Sequence, residues 1–145
     1  MKNHISYVLL FMFFSTLLIF SQDQYTEGPI WDVTFVRTKP NQRDAYLNNL
    51  RENTKPVLEE EKKQGMIMDY KIINNLTQHD PQEWDIAVAV QCTNFAAMDG
   101  FEAKEQAIRD KIQGSRQAAE HTFGEKYSDM REIVSTKLMQ ELVLK

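Results

Sequence analysis

The stretch Trp84-Asp85-Ile86-Ala87-Val88-Ala89-Val90-Gln91-Cys92-Thr93 carries the clearest secondary-structure signal in this 145-residue chain. Apolar residues that suit a strand core occupy every second position from Trp84 to Cys92, and the positions between them hold small or polar residues. Because successive side chains of a strand point to opposite faces, this alternation predicts a half-buried strand whose apolar face packs on helices.

Three further segments have the same period and predict strands. Ile30–Thr38 and Met66–Asn74 alternate apolar with polar residues, and so does the last segment, Arg131–Lys145. The last segment is much longer than the usual strand of about 5–6 residues. Its length predicts either a β-bulge or an overhang that reaches onto a partner.

The segment Gln42–Lys63 has helical spacing and stops before Gly65. Pro56 lies inside it and has no backbone N–H to offer the carbonyl of Glu52. We therefore expect the helix to kink, or to split in two, near Thr54.

A second helical segment runs from Phe101 to Phe123. Gly114 is expected to loosen its middle and Gly124 to end it. The predicted order of elements is therefore β-α-β-β-α-β, the split βαβ pattern. Such a chain forms an α+β fold with a four-stranded antiparallel sheet and both helical segments on one face. The other face has nothing from its own chain to cover it, which predicts a homodimer.

Residues 30–145 resemble the dimeric α+β barrel superfamily, whose ferredoxin-like chains pair sheet against sheet. The resemblance is carried by Trp31-Asp-Val-Thr-Phe-Val-Arg-Thr-Lys-Pro, Trp84-Asp-Ile-Ala-Val-Ala-Val and Thr136-Lys-Leu-Met-Gln-Glu-Leu-Val-Leu-Lys. The superfamily includes antibiotic-biosynthesis-type monooxygenases, haem-degrading enzymes, stress-responsive barrels and uncharacterised members. The resemblance implies the fold and a homodimer, and no catalytic residue is transferred because the sequence has no matching catalytic motif.

Composition narrows the classes of function. The chain is 42% apolar and 26% charged, which is typical of one globular domain. Its formal charge of −4 argues against nucleic acid or an anionic membrane surface as a partner. A single cysteine cannot form an intrachain disulfide, and Cys92 is expected to be a small buried residue of its strand.

The N-terminus predicts an exported protein. Lys2 precedes an apolar run from Ile5 to Phe20, and a polar exit follows at Ser21, as in a secretory signal peptide. Residues 1–21 are therefore the predicted signal peptide, residues 22–29 a flexible lead-in and residues 30–145 the domain. The expected location is periplasmic or extracellular, with no stable membrane insertion after cleavage. A retained N-terminal anchor is the alternative.

The predicted ligand site lies on the sheet face opposite the helices. Polar residues of three strands are assigned to that face by their period: Asp32 and Thr34, Asp69 and Lys71, and Asp85 and Gln91. The small Ala87 and Ala89 leave room among them, so a polar-lined pocket in the dimer barrel is predicted, with a carboxylate as base or ligand anchor. A wet dimer interface, or ordinary solvent-facing positions, is the alternative.

Neither a metal site nor a cofactor is predicted. His79 and His121 have no second His or Cys two to four positions away, and the glycine spacing of a phosphate-binding loop is absent. His121 is the better candidate for a role in ligand binding, because the second helix could border a cleft.

The sequence thus predicts an exported homodimer that binds a small organic ligand. One alternative is a cofactor-independent monooxygenase or isomerase, which predicts that Asp32, Asp69 or Asp85 lines a closed pocket with a perturbed pKa. The other is a structural dimeric adaptor whose long last strand augments another protein's sheet, which predicts an unpaired edge on that strand.

Overall fold

The computed structural model describes residues 24–77, 80–114 and 125–145. Four strands form one antiparallel sheet in the order β2-β3-β1-β4, which confirms the predicted α+β class and topology. The elements in chain order are β1 (Tyr25–Thr38), α1 (Arg43–Asn49), a π-helical turn (Leu50–Thr54), α2 (Lys55–Lys63), β2 (Asp69–Asn74), β3 (Ile86–Cys92), a 3-10 turn (Phe95–Met98), α3 (Phe101–Gln113), α4 (Glu125–Met130) and β4 (Arg131–Leu144).

β1 and β4 pair along their whole length, from Tyr25 opposite Leu144 to Thr38 opposite Arg131. The strand start predicted at Ile30 is therefore five residues too late, and residues 25–29 belong to the sheet. The ladder gives their backbone groups hydrogen-bond partners, and a bulge between Glu27 and Ile30 accommodates the Gly-Pro pair that had indicated a lead-in. The bulge predicted for the last strand is confirmed by the second register shift, where β4 has one extra residue between Ile133 and Ser135, opposite Val36 and Phe35. Within the described residues, β4 pairs with β1 as far as Leu144, its last residue, and has no overhang.

The long helical segment is divided where Pro56 predicts a change. The π-helical turn ends at Thr54, and the backbone N–H of Lys55 donates to the carbonyl of Leu50 five residues earlier. α2 then begins with Pro56 in its first turn, where the missing N–H costs no hydrogen bond. Farther along the chain, Gly114 caps and ends α3 with a φ of 95°. The predicted continuation to Phe123 and the end at Gly124 lie outside the described residues.

The register of the central strands corrects the assignment of faces in β1. Asp32 lies opposite Val90 and Thr34 lies opposite Val88. Directly opposed residues of an antiparallel pair share a face, so Asp32 and Thr34 point toward the helices. The prediction that they share a face with Asp85 and Gln91 is wrong. The apolar alternation of Trp31, Val33 and Phe35 belongs to the face without helices, which we call the open face.

Apolar clusters lie on both faces of the sheet. On the helix side, one cluster packs Val36 and Ile86 against α1 and α4, and a second packs Cys92 against Leu58 of α2. On the open face, Val33, Ala87 and Ala89 are buried beneath aromatic rings. Those rings belong to Trp31, Phe35 and Trp84. None of the described helices is long and apolar enough to cross a membrane.

Candidate functional site

A cavity of about 410 Å³ lies between the sheet and the helices α2 and α3, and we call it the sheet–helix cavity. Its volume is within the range of about 300–1,000 Å³ that small-molecule sites occupy. The residues that line it are Asp32, Thr34, Thr54, Leu58, Glu61, Val88, Val90, Cys92, Met98, Phe101, Glu102, Glu105 and Arg109.

The cavity lies above the middle of the sheet, because apolar clusters cover the two ends of the sheet and leave its middle open. The helix-facing positions of β1 read Ile30, Asp32, Thr34 and Val36, with apolar residues at both ends and short polar residues between them. Ile30 and Val36 are fully buried, whereas Asp32 and Thr34 are partly exposed. The space above the central pair is therefore left open between the two apolar clusters.

Glu61 of α2 is the most deeply buried charged residue of this cavity, with 1% of its surface exposed. Its Oε1 atom is enclosed and has no hydrogen-bond partner among the described residues. The pKa of this carboxyl is raised from 4.5 to about 7, chiefly by burial and also by the charge of Glu105, while Arg109 lowers it. A carboxyl with a pKa near neutral pH is therefore part of the cavity lining.

Asp32 supplies a second carboxylate from the opposite wall. Its Oδ1 atom is enclosed and, among the described residues, also lacks a hydrogen-bond partner. Burial raises the pKa of Asp32 above its usual value. Beside it, the hydroxyl of Thr34 lies 3.3 Å from the hydroxyl of Thr136 in β4.

Arg109 is the one cationic side chain among the described residues that line the cavity. Its Nε donates to Glu105 Oε1 over 2.8 Å, and its Nη2 donates to the same oxygen. The guanidinium is thus held by its neighbour one helical turn away, and the three further lining carboxylates of Asp32, Glu61 and Glu102 form no salt bridge within the described residues.

Cys92 lies beneath the cavity and is buried, as the strand pattern predicts. Burial raises the pKa of its thiol, and the charges of Asp32 and Glu61 add to the effect. Since the thiolate is the reactive form, this cysteine is a wall of the cavity and is not suited to nucleophilic chemistry.

Three predicted site residues lie on the open face, away from this cavity. Register places Asp69 and Lys71 of β2 beside Gln91 and Ala89 of β3. Asp69 accepts a hydrogen bond from Lys62 Nζ at 2.7 Å, and Lys71 Nζ lies 4.8 Å from the ring centre of Trp31.

Gln91 takes part in a small network on the same face. Its Nε2 donates to Glu141 Oε1 over 3.1 Å, and the indole N–H of Trp31 donates to that same oxygen over 2.6 Å. The network links three strands of the sheet, since Trp31 lies in β1, Gln91 in β3 and Glu141 in β4.

Asp85 joins the end of β1 to the start of α1. Its carboxylate accepts hydrogen bonds from the backbone N–H of Thr38 at 2.9 Å, from the Thr38 hydroxyl, and from Arg43 Nη1 at 3.0 Å. With its acceptors engaged in this way, Asp85 is a structural residue. His121, the last predicted site residue, lies outside the described residues, as does His79.

The sequence prediction missed Glu61, Glu105 and Arg109. Glu61 belongs to a run of charged residues at the end of its helix, a composition typical of a solvated face, yet it follows Val57 by four positions and Leu58 by three. Residues at these separations share a helix face, and both Val57 and Leu58 are buried. That spacing is the signal that could have identified it.

Among the described residues, no group of three or more His, Cys, Asp or Glu side chains is arranged to hold a metal ion. The side chains of the cavity offer hydrogen-bond acceptors, a titrating carboxyl and apolar walls.

Solved structures of other proteins have the same fold. HapK from Hahella chejuensis matches with a TM-score of 0.51 and 13% identity, over 77% of this chain and 91% of HapK. A dimeric ferredoxin-like protein from an uncultured marine organism matches with a TM-score of 0.52 and 16% identity, over 82% of this chain and 90% of that chain. No protein-family model and no curated protein sequence matches the chain. The likeness confirms the ferredoxin-like fold that the sequence resemblance implies.

Proposed function

We propose that this protein binds a small organic molecule in the sheet–helix cavity. The observation that carries the proposal is the buried carboxyl of Glu61, a residue that lines the cavity and whose Oε1 is enclosed without a hydrogen-bond partner among the described residues. An unpaired buried polar group costs about 1–3 kcal/mol of stability, and more when it is charged. Such a cost is commonly retained at functional sites, where a ligand supplies the missing partner.

A neutral two-ring alcohol, tryptophol, tests whether the cavity admits a ligand. We expect wild-type protein to bind it, and Val88→Phe, which fills the cavity, to weaken binding at least tenfold by calorimetry. Leu76→Phe is the matched control because Leu76 is 85% exposed in the loop between β2 and β3. The proposal fails if no one-ring or two-ring alcohol or amine binds, or if folded Val88→Phe binds as wild type does.

We propose further that two copies pair through the open face. The half-buried rings of Trp31, Phe35 and Trp84 cover its apolar centre, and Met139 of β4 is 44% exposed beside Trp31. A contiguous exposed apolar surface is typical of a protein interface. The structurally similar marine protein is described as dimeric, and this supports the same arrangement here.

Proton transfer is a second candidate function, and the raised pKa of Glu61, about 7, is the observation that favours it. A general acid or base works best when its pKa lies near the operating pH. The reaction would be a cofactor-independent isomerisation or oxygenation of a molecule in the cavity. Deuterium uptake from solvent by 2-indanone tests this: wild type should accelerate it and Glu61→Gln should not, and equal rates would contradict an enzymatic role.

An adaptor role is a third candidate, because β4 lies at the edge of the sheet with no strand beyond it among the described residues. Unpaired edge groups are a template for strand addition. Hydrogen exchange of the outward-pointing β4 amides tests the role. Rapid exchange in the purified protein fits an adaptor, and strong protection would contradict it because the edge would already be covered.

We also propose that the protein is exported, on the strength of the apolar segment within residues 1–21. The mass of the protein recovered outside the cytoplasm tests this proposal. A chain that begins near Gln22 is expected, and an uncleaved chain held in the membrane fraction would contradict it.

A further inference from the structure

The charges that line the sheet–helix cavity are strongly unbalanced. Four carboxylates line it, belonging to Asp32, Glu61, Glu102 and Glu105, against the single guanidinium of Arg109. That guanidinium donates twice to Glu105. A cleft of one sign with low-dielectric walls concentrates ligands of the opposite sign, so an anionic ligand would be repelled here.

Apart from Arg109, the hydroxyl donors of the described lining have oxygen partners nearby. The hydroxyl of Thr54 is engaged with the hydroxyl of Tyr127 at 2.7 Å, and that of Thr34 lies within reach of Thr136. Glu61 Oε1 and Asp32 Oδ1 are acceptors without partners among the described residues. A ligand that satisfies these two oxygens has to bring its own donors.

The remaining walls are apolar. Leu58 comes from α2, Val88 and Val90 from β3, and Phe101 from α3. A ligand that is polar throughout would leave these surfaces unmatched. The body of the ligand is therefore apolar, and its donors are confined to one end.

We infer that the ligand of this cavity is an amine, with a protonated nitrogen that donates to the buried carboxylate of Glu61 on an apolar, ring-sized body. Asp32 contributes a second negative charge from the opposite wall. This inference rests on the proposed function and narrows it to one chemical class of ligand.

Three two-ring probes of matched size test the inference: tryptamine, tryptophol and indole-3-acetate, which are cationic, neutral and anionic. At pH 8, where most Glu61 is ionised, we expect calorimetry to show tryptamine binding at least tenfold more tightly than tryptophol, because the ammonium forms an ion pair as well as a hydrogen bond with the carboxylate, whereas the hydroxyl forms a hydrogen bond alone. Indole-3-acetate should bind most weakly.

Two variants identify the group responsible. Glu61→Gln should weaken tryptamine binding about tenfold or more while tryptophol binding stays within about twofold. Glu59→Gln is the matched control, since Glu59 is exposed on the same helix and does not line the cavity. It should change neither affinity by more than about twofold.

The outcomes separate this inference from the proposed function. If tryptophol binds as tightly as tryptamine and Val88→Phe abolishes both, the cavity is a ligand site and the inference of an amine is overturned. A preference for indole-3-acetate, or unchanged tryptamine binding in Glu61→Gln, overturns it as well. If none of the three probes binds wild type, the proposed function and the inference both fail.

Discussion

Glu61 is the residue on which the proposed chemistry depends. Helix spacing places it on the buried face with Val57 and Leu58, where solvent cannot stabilise its charge. Asp32 of β1, Cys92 of β3, and Glu105 and Arg109 of α3 surround the same cavity. The arrangement leaves one carboxyl whose ionisation is opposed by burial and by a neighbouring carboxylate, and is only partly favoured by Arg109.

The raised pKa of Glu61 predicts a pH-dependent stability. Its pKa is about 7 in the folded protein against 4.5 ordinarily, so between these values the folded state holds a proton that the unfolded state has lost. The free energy of unfolding should therefore fall as pH rises from 4.5 to 7, and this group accounts for about 3 kcal/mol of the decrease. Urea denaturation at pH 4 and pH 8 measures it.

Glu61→Gln should remove this part of the pH dependence, so that the difference in stability between variant and wild type changes by about 3 kcal/mol between pH 4 and pH 8. Glu59→Gln, on the exposed side of α2, is the control and should leave the difference nearly constant. Parallel pH profiles for wild type and Glu61→Gln would show that burial does not raise this pKa.

Strand period alone could identify the polar residues of the sheet but could not assign all of them to a face. Asp32 and Thr34 line the cavity because of the register in which β1 pairs with β3. That register cannot be derived from the pattern of one strand alone. Asp85 has the residue type of a ligand anchor, yet its acceptors are taken by Thr38 and Arg43. Both outcomes depend on contacts between residues far apart in sequence.

At the scale of elements, the β1–β4 ladder is the feature that the sequence only partly revealed. The length of the last strand predicted a bulge, and β4 has one extra residue between Ile133 and Ser135, opposite Val36 and Phe35. Residues 22–29 were predicted to be a flexible lead-in because Gly28-Pro29 suits a turn. The same residue types also occur at β-bulges, so the pair alone does not distinguish the two. The change in the helix near Thr54, by contrast, was predicted as a kink or a split, because the missing N–H of Pro56 is a property of one residue, although the π-helical form of the turn was not.

Gly28 is required where the two long strands approach each other most closely. A Cβ at this position would lie 2.9 Å from the Cβ of Glu141 and 3.2 Å from its carbonyl oxygen. Gly28→Ala should therefore force the strands apart and lower the free energy of unfolding by about 1–3 kcal/mol.

Chemical denaturation measures the effect of Gly28→Ala, with Thr26→Ala as the control because Thr26 is exposed on the same strand. The control should stay within about 0.5 kcal/mol of wild type. A Gly28→Ala variant as stable as wild type would mean that the backbone at Gly28 does not lie as close to Glu141 as described.

At the scale of the whole molecule, the two faces of the sheet have different proposed tasks. The helix face holds the cavity with its acidic lining, and the open face holds an apolar centre beneath Trp31, Phe35 and Trp84. The uncovered face was predictable from the order of elements. The apolar character of this face was not predictable, because the alternating Trp31, Val33 and Phe35 of β1 suit the helix-covered core equally well.

Pairing through the open face makes the assembly sensitive to charge at Met139. Met139 lies opposite Trp31 and is 44% exposed in the single chain. Met139→Glu should bury an unpaired charge in the dimer and weaken association at least tenfold, which sedimentation equilibrium measures. Ile112→Glu is the matched control, since Ile112 is 40% exposed on α3, away from this face. Equal dissociation constants for the two variants, or a monomeric wild type at micromolar concentration, would contradict the proposed dimer.

The central claim is that a small molecule binds between the sheet and the helices. Three valines of the paired central strands provide an internal test: Val88 and Val90 face the cavity, whereas Val33 faces the other side of the same sheet. Methyl NMR spectra recorded during titration with tryptamine measure which side is occupied. The account predicts that the Val88 and Val90 methyl resonances shift and saturate together while those of Val33 stay in place. Shifts confined to Val33, or no shift in any of the three valines, would contradict it.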